Sequence, residues 1–538
     1  MKIKKIMSSA MALILSVSPL GAVAEGVNEA MPQLTPPPLR TSIVEEILPE
    51  NAVQDPYESP ISMQIKKYRE YEEAAECEAY EPILFEAGSV YTELEGITTF
   101  RGNNYRDTSS YGTIPTDPKK LDVEYKFKIG GLDGWGGVGW TGQASVVRWP
   151  EQVRNIMNIY DEKKAKDDLV EVIYAALDGK IHFYDLEDGK PTRDSISIGA
   201  PIKGSLAIDP RGYPLLYCGQ GIEEVNGRKK EIGMRVFSLI TGEVLLFING
   251  HDKVNTRHWY SSDCSPLIDA ETDTLLWAGE NGLFYRVKLN TDYDPAAKTI
   301  SIDPQIDRYW YASPVTTRPG MENSFSAYNH YVFLPDNSGL LQCLDINTME
   351  PVWAIDVLDD TDSSPVLEVD DDGQLWVYTA TEIDLAKKEK CYIRRVNGFT
   401  GEVDWTIERG CSDRDDGGAY ATPAMGKGNV SDLIFFTLSK AHGGNYLMAI
   451  EKETGEIRWQ YDIGGYAWSS PALCLDENDN AYLVQCNVSG TMRLFDAATG
   501  ELIDKLSLDA NVEGSPVVFD DMIVIGTRGK TVYGIRIK

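Results

Sequence analysis

Glu453-Thr454-Gly455-Glu456-Ile457-Arg458-Trp459, followed by Ser470-Pro471 and the apolar run Ala472-Leu473-Cys474-Leu475, is the stretch that decides the fold. It holds a tight turn, a strand with alternating apolar positions, and the opening of a new strand. Gly455 supplies the positive φ that reverses the chain in a short turn. Ile457, Trp459 and Tyr461 alternate with polar residues, the period of a half-buried strand. The unit then recurs. Ile240-Thr241-Gly242-Glu243, Phe399-Thr400-Gly401-Glu402 and Ala498-Thr499-Gly500-Glu501 are close copies of the turn. Asn347-Thr348-Met349-Glu350 and Glu187-Asp188-Gly189-Lys190 are degenerate ones.

Working outward, the strand openings read as Gly142-Gln143-Ala144, Gly204-Ser205-Leu206, Ser265-Pro266, Ser313-Pro314, Ser364-Pro365, Thr422-Pro423, Ser470-Pro471 and Ser515-Pro516. Between turns the residues are β-branched and aromatic, as in Leu433 to Leu438 and Ile523 to Val532, and no long helical period appears. Four short strands per unit, at spacings of roughly forty-five to sixty-five residues, are the signature of propeller blades. One blade cannot bury both of its faces, whereas a closed ring buries them all and leaves no free sheet edge. The expected fold class is therefore all-β: a single eight-bladed β-propeller of four-stranded antiparallel blades. The last unit shows three strands after Ser515, and Leu121–Lys128 is expected to supply the fourth and close the ring.

The pattern of Thr-Gly-Glu, a Trp three residues on, and Ser-Pro opening the next unit resembles the repeat of the pyrroloquinoline-quinone (PQQ) β-propeller family. Glu453 to Trp459, Phe399 to Trp405 and Met349 to Trp353 carry it best. The resemblance implies that each Trp docks on the neighbouring blade; other units place Leu246, Arg193 and Asp504 in that slot. Phe100-Arg101-Gly102-Asn103, with Arg106 and Tyr111-Gly112, is similar to the segment leading into these propellers. For enzymes of the family the resemblance implies a quinone between a vicinal disulfide and a Trp, with Ca²⁺ held by Glu and Asn and an Asp base. There is no Cys-Cys step here, and the Ca²⁺ ligands and base match no motif.

The flanks divide as residues 1–24, 25–60 and 61–96, ahead of a propeller over 97–538. Lys2, Lys4 and Lys5, the apolar stretch from Met11 to Leu20, and Ala22-Val23-Ala24 read as an export signal. Residues 25–60, with Pro36-Pro37-Pro38, read as an acidic linker. Ile61 to Ala79 is expected to form a helix with Met63, Ile65, Tyr68, Tyr71 and Ala75 on one face. Asp161 to Asp168 is expected to be a solvated loop. The expected location is secreted or extracytoplasmic, as a monomer, with no later apolar run long enough to span a membrane.

The chain carries 51 basic and 83 acidic side chains, net −32. Such a field repels phosphate backbones and excludes nucleic acid as a partner. Of eight Cys, Cys218, Cys343 and Cys474 sit inside apolar strands and read as small hydrophobes. Cys391 and Cys411 flank one hairpin and form the one pair worth testing. Five His (His182, His251, His258, His330, His442) fit no zinc or triad spacing, and no nucleophile elbow or P-loop is present. Asp370-Asp371-Asp372-Gly373 and Asp413 to Gly417 lack the closing Glu of a calcium loop and read as turns.

No catalytic and no metal residues are assigned. The connections entering each first strand should gather at one mouth of the channel. The residues expected there are Trp140, Lys203, Trp259, Asp263, Trp310, Tyr311, Asp362, Tyr420, Trp468 and Glu513. Aromatic faces beside carboxylates suit a sugar, a peptide or a cation. The expected function is an exported, non-catalytic binding propeller that engages a protein, a cell-envelope glycan or a small ligand, with no cofactor. The alternatives are a PQQ- and calcium-dependent oxidoreductase and an envelope assembly scaffold.

Overall fold

The computed structural model describes residues 61–139, 142–255, 257–385, 389–411 and 417–538. The expected signal and linker, Trp140 and Asp413 to Asp416 lie outside the described residues. Eight sheets of four or more strands, each antiparallel in its body, make an eight-bladed β-propeller. The seventh is typical: Ala472–Leu475, Ala481–Cys486, Thr491–Asp496 and Leu502–Ser507 run from channel to rim. Its central strands are buried on both faces, because a neighbouring sheet packs on each side. In the eighth sheet Thr531–Ile537 pairs antiparallel with Leu121–Lys128, which lies outermost. No helix among the described residues is long and apolar enough to cross a membrane.

The expected helix over Ile61–Ala79 does not form. Gln64–Arg69 and Glu72–Ala74 are strands, and the first pairs with Gln305–Ala312 to extend the third sheet to six strands. The period there is two: Met63 and Lys67 are buried and Ile65 half-buried. Glu70, at φ 54°, makes the turn. The open edge of the third sheet outweighs the helix propensity of Glu, Lys and Ala. The charged run from Asp161 is also more than solvated loop. It contains one helical turn, Asp161–Lys164, and Lys163 and Lys166 reach the buried Asp185 at 2.7 and 3.0 Å.

The seams between sheets share one device. Trp353 Nε1 donates to Gly398 O at 2.9 Å, Trp405 to Lys452 O at 2.8 Å and Trp459 to Ala497 O at 3.0 Å. Each acceptor stands two residues before the Thr of the next sheet's Thr-Gly-Glu turn. The Gly of that turn lies flat on the Trp: a Cβ at Gly455 would sit 2.9 Å from the Trp405 ring, and its φ is +73°. At two seams without Trp, an Arg makes the bond instead. Arg193 reaches Leu239 O at 3.2 Å and Arg286 reaches Ile346 O at 2.6 Å, the same turn position.

The channel is filled by residues 95–111. Glu95–Ile97 pairs with the first strand of sheet one, and Ser110–Tyr111 runs parallel to that of sheet eight. Between them the segment bonds to every other first strand. Thr98 O accepts from Ile208 N, Thr99 Oγ1 donates to Pro266 O, and Asn104 O and Tyr105 O accept from Ala327 N and Leu367 N. Arg101 donates to Pro423 O and Pro471 O, and Arg106 to Phe325 O and Ser265 O. Both guanidiniums are fully buried, and burial lowers them to about 10. They remain cations at neutral pH and give charge-assisted bonds to carbonyls that would otherwise lack partners.

Candidate binding site at the channel mouth

Above this hub the strand openings form a belt. Ser265 N donates to Ser324 Oγ, Ser324 N to Ser364 Oγ, Ser364 N to Thr422 Oγ1, Thr422 N to Ser470 Oγ and Ser470 N to Ser515 Oγ, all at 2.9–3.0 Å. Gln143 N donates to Ser205 Oγ in the same way. The belt corrects the fourth opening. Ser313-Pro314 follows the last strand of sheet three, and the first strand of sheet four is Ser326–Tyr328. The true opener is Ser324, so the residue at the mouth is Glu322, not Tyr311. Tyr311 is buried at the outer strand and donates to Asp336 at 3.1 Å. Its neighbour Trp310 pairs with Leu283 and Lys66 in the same outer position.

The other expected residues fall on the ring two places before the belt, or beside it. Lys203, Asp263, Glu322 and Asp362 succeed one another over sheets two to five. Lys203 Nζ lies 3.4 Å from Asp263 and 3.7 Å from Glu322. Burial alone would lower the Lys203 ammonium, but the charges of Asp263, Glu322 and Glu280 outweigh it and hold the proton on. Gly221 makes room for this contact, since a Cβ there would lie 2.4 Å from Asp263 Oδ1. Tyr420 and Trp468 stack at 4.1 Å and 23°, with Tyr420 fully buried and Trp468 8% exposed, so their faces are turned to each other. Glu513 is paired with Arg528 at 3.1 Å. Trp259 is half-buried, with its Nε1 lacking a hydrogen-bond partner. Asp370 binds its own turn through Asp372 N and Gln374 N.

A second tier, absent from the expected set, comes from the turns after each second strand: Glu280, Asp336 and Glu382. With Asp360 they complete an acidic arc. Asp263, Glu280 and Glu322 bring carboxylate oxygens within 4.8 Å of one another, and Asp360, Asp362 and Glu382 do the same. Asp263, Glu280, Asp360 and Asp362 are at most 4% exposed. Asp263 Oδ1, Glu280 Oε1 and Asp362 Oδ1 are buried without a hydrogen-bond partner among the described residues. Burial first, and then the neighbouring carboxylates, push Glu280, Asp360, Asp362 and Glu382 well above the ordinary range. The signal for this tier is in the repeat register. Glu280 follows Gly279 and Glu382 follows Thr381 at one turn position, whereas Asp336 stands one residue earlier in its turn and accepts from Ser338 N and Leu340 N there.

Elsewhere, Asp178, His182 and Ser195 form a hydrogen-bonded chain, with His182 Nε2 3.0 Å from Asp178 and Nδ1 3.1 Å from Ser195 Oγ. Asp178 also accepts from Gly130 N, so the chain ties the Gly-rich segment to sheet one. Cys411 Sγ donates to Cys391 Sγ at 3.6 Å, and both are buried free thiols.

A family model described as outer membrane protein assembly factor BamB matches residues 267–466 and 443–538. The chain belongs to this PQQ-type propeller family. Among solved structures it is similar to BamB from Moraxella catarrhalis (14% identity, TM-score 0.50, covering 78% of this chain and 100% of that one). A quinohemoprotein alcohol dehydrogenase from Comamonas testosteroni gives 12% identity and a TM-score of 0.52, covering 82% of this chain and 80% of that one. At these identities the likeness is one of fold. A curated relative, the beta-alanine-activating enzyme of Mus musculus, is 28% identical over 90 residues, 16% of this chain and 8% of the relative's length. The chain therefore spans a small part of that relative.

Proposed function

We propose that the protein is an extracytoplasmic, non-catalytic propeller that holds a positively charged segment of a protein partner at its channel mouth. The observation carrying this reading is the acidic arc on a rigid ring: six clustered carboxylates at the mouth against Lys203. Buried carboxylate oxygens without partners favour a ligand that brings cationic donors. The hub of residues 95–111 holds the ring in one shape, which lowers the ordering cost of binding. The family's description as an assembly factor supports a protein partner, and the signal-like N-terminal sequence supports the location.

A quinone cofactor does not suit these residues. PQQ carries three carboxylates of its own, and the arc would repel them. The Trp468 face that a planar ring would need is stacked on Tyr420.

The test is cross-linking of the purified mature chain in an envelope fraction, with captured partners identified for wild type and for Glu322→Gln/Asp263→Asn. The expected result is a defined partner whose capture weakens with salt and is reduced about tenfold or more in the variant, as for loss of buried interfacial charge. Capture indifferent to both salt and variant overturns the mouth as the site. Dye-linked alcohol oxidation after addition of PQQ and Ca²⁺ overturns the non-catalytic reading.

A further inference from the structure

The two carboxylate groups of the arc differ in countercharge. Lys203 serves Asp263 and Glu322. Among the described residues no Lys, Arg or His forms an ion pair with Asp360, Asp362 or Glu382, although their oxygens lie within 4.8 Å of one another. Three like charges that close, two of them buried, are stable only when protonated or bridged by a cation.

A second observation points to the cation. Asp362 is 3% exposed, and its Oδ1, one of the buried atoms of the arc, has no hydrogen-bond partner among the described residues. The backbone places the ligands without help from a metal. Glu382 N donates to Asp360 O at 2.9 Å, which fixes the turn after the second strand against the connection entering sheet five. Asp359 Oδ1 accepts from Asp384 N and Leu385 N at 3.2 and 2.8 Å and clamps the same two segments. Thr361 N takes one oxygen of Asp360 at 2.6 Å, leaving the other to the cluster. The donor set is oxygen alone, with no His nitrogen or Cys sulfur, which selects hard cations over zinc or copper.

We propose that Asp360, Asp362 and Glu382 form a binding site for one hard divalent cation of the calcium class, completed by water. The cation ties together the two segments of sheet five that face the mouth. This site shares three carboxylates with the arc of the partner reading, but it binds in the isolated protein, whether or not a partner docks.

The test uses the full mature chain, freed of metal with a chelator and titrated with Ca²⁺ by calorimetry in physiological salt, where diffuse attraction to an acidic surface is screened. The expected result is one Ca²⁺ per chain and a rise in melting temperature on binding. Glu382→Gln and Asp362→Asn should each weaken it about tenfold or more, as loss of a charged ligand does. Asp371→Asn, in a surface turn, should leave it unchanged. Both ligand variants relieve charge repulsion, so they should fold and melt no lower than metal-free wild type, which far-ultraviolet circular dichroism checks. No saturable Ca²⁺ binding, or binding that Glu382→Gln and Asp362→Asn leave intact, overturns the site.

Discussion

The first half of the ring and the second half close the same seams with different chemistry. In sheets four to six, Trp353, Trp405 and Trp459 lie across the seam and donate one indole N–H to the next turn. Earlier, Arg193 and Arg286 make the equivalent bond, and each is neutralised beneath the seam, Arg193 by Glu171 at 2.5 Å and Arg286 by Asp307 at 2.5 Å. The fully buried Arg101, Arg106, Arg193, Arg286 and Arg308 all belong to this earlier part of the chain. The acceptor is fixed by the turn and the donor is free to vary. An apolar donor carries its own packing, whereas a charged one needs a buried partner and is exposed to mutation and pH through it.

The largest effect should come from breaking an ionic seam. Arg193→Met leaves Glu171, which is 0% exposed, with an uncompensated charge, and should cost about 3–5 kcal/mol in denaturant unfolding. Adding Glu171→Gln should recover most of it; a double variant as unstable as the single one would show that packing, not charge, holds this seam. Trp405→Ala in an aromatic seam should cost about 3 kcal/mol through lost packing, with no such rescue. Trp405→Phe keeps the packing and loses the bond to Lys452 O, so the cost should fall to about 1 kcal/mol. Gly455→Ala, pressed on the same ring at positive φ, should cost about 1–2 kcal/mol.

The smallest effect concerns pH. Burial raises the Asp269 carboxyl, in sheet three, to about 6, against hydrogen bonds from Thr272 that lower it. Its folded value is above the unfolded one, so the native state keeps the proton between about pH 4 and 6, and stability falls as pH rises through that window. Melting temperatures of wild type minus Asp269→Asn should therefore decline from pH 4 to 7. A flat difference would remove Asp269 from the account.

The repeat was legible in the sequence because its signals are local. Thr-Gly-Glu turns, strand periods and most Ser-Pro openers depend on neighbours within a few residues. The fourth opener was misread because Ser313-Pro314 copies the motif, whereas Ser324-Phe325 lacks the Pro and is identified only by its bonds to Ser265 and Ser364. That one slip hid Glu322, and with it the continuity of the acidic arc. Lys203, Asp263 and Asp362 were found because their openers were placed correctly. The strand Gln64–Arg69 was missed because the sheet edge it joins, Gln305–Ala312, lies more than two hundred residues away. Arg193 was recognised as a departure from Trp, yet only the structure shows that it makes the bond the Trp would make.

The hub also sets an order of assembly. Residues 95–111 leave the ribosome before any blade exists, and their strand partners are spread from Val146 to Phe519. The earliest-made piece of the ring is thus among the last to be completed, and it waits unpaired while eight sheets are synthesised. Contacts this distant in the chain slow folding and leave the waiting segment open to misassembly. A protein built this way closes late, around a core that had been waiting from the start.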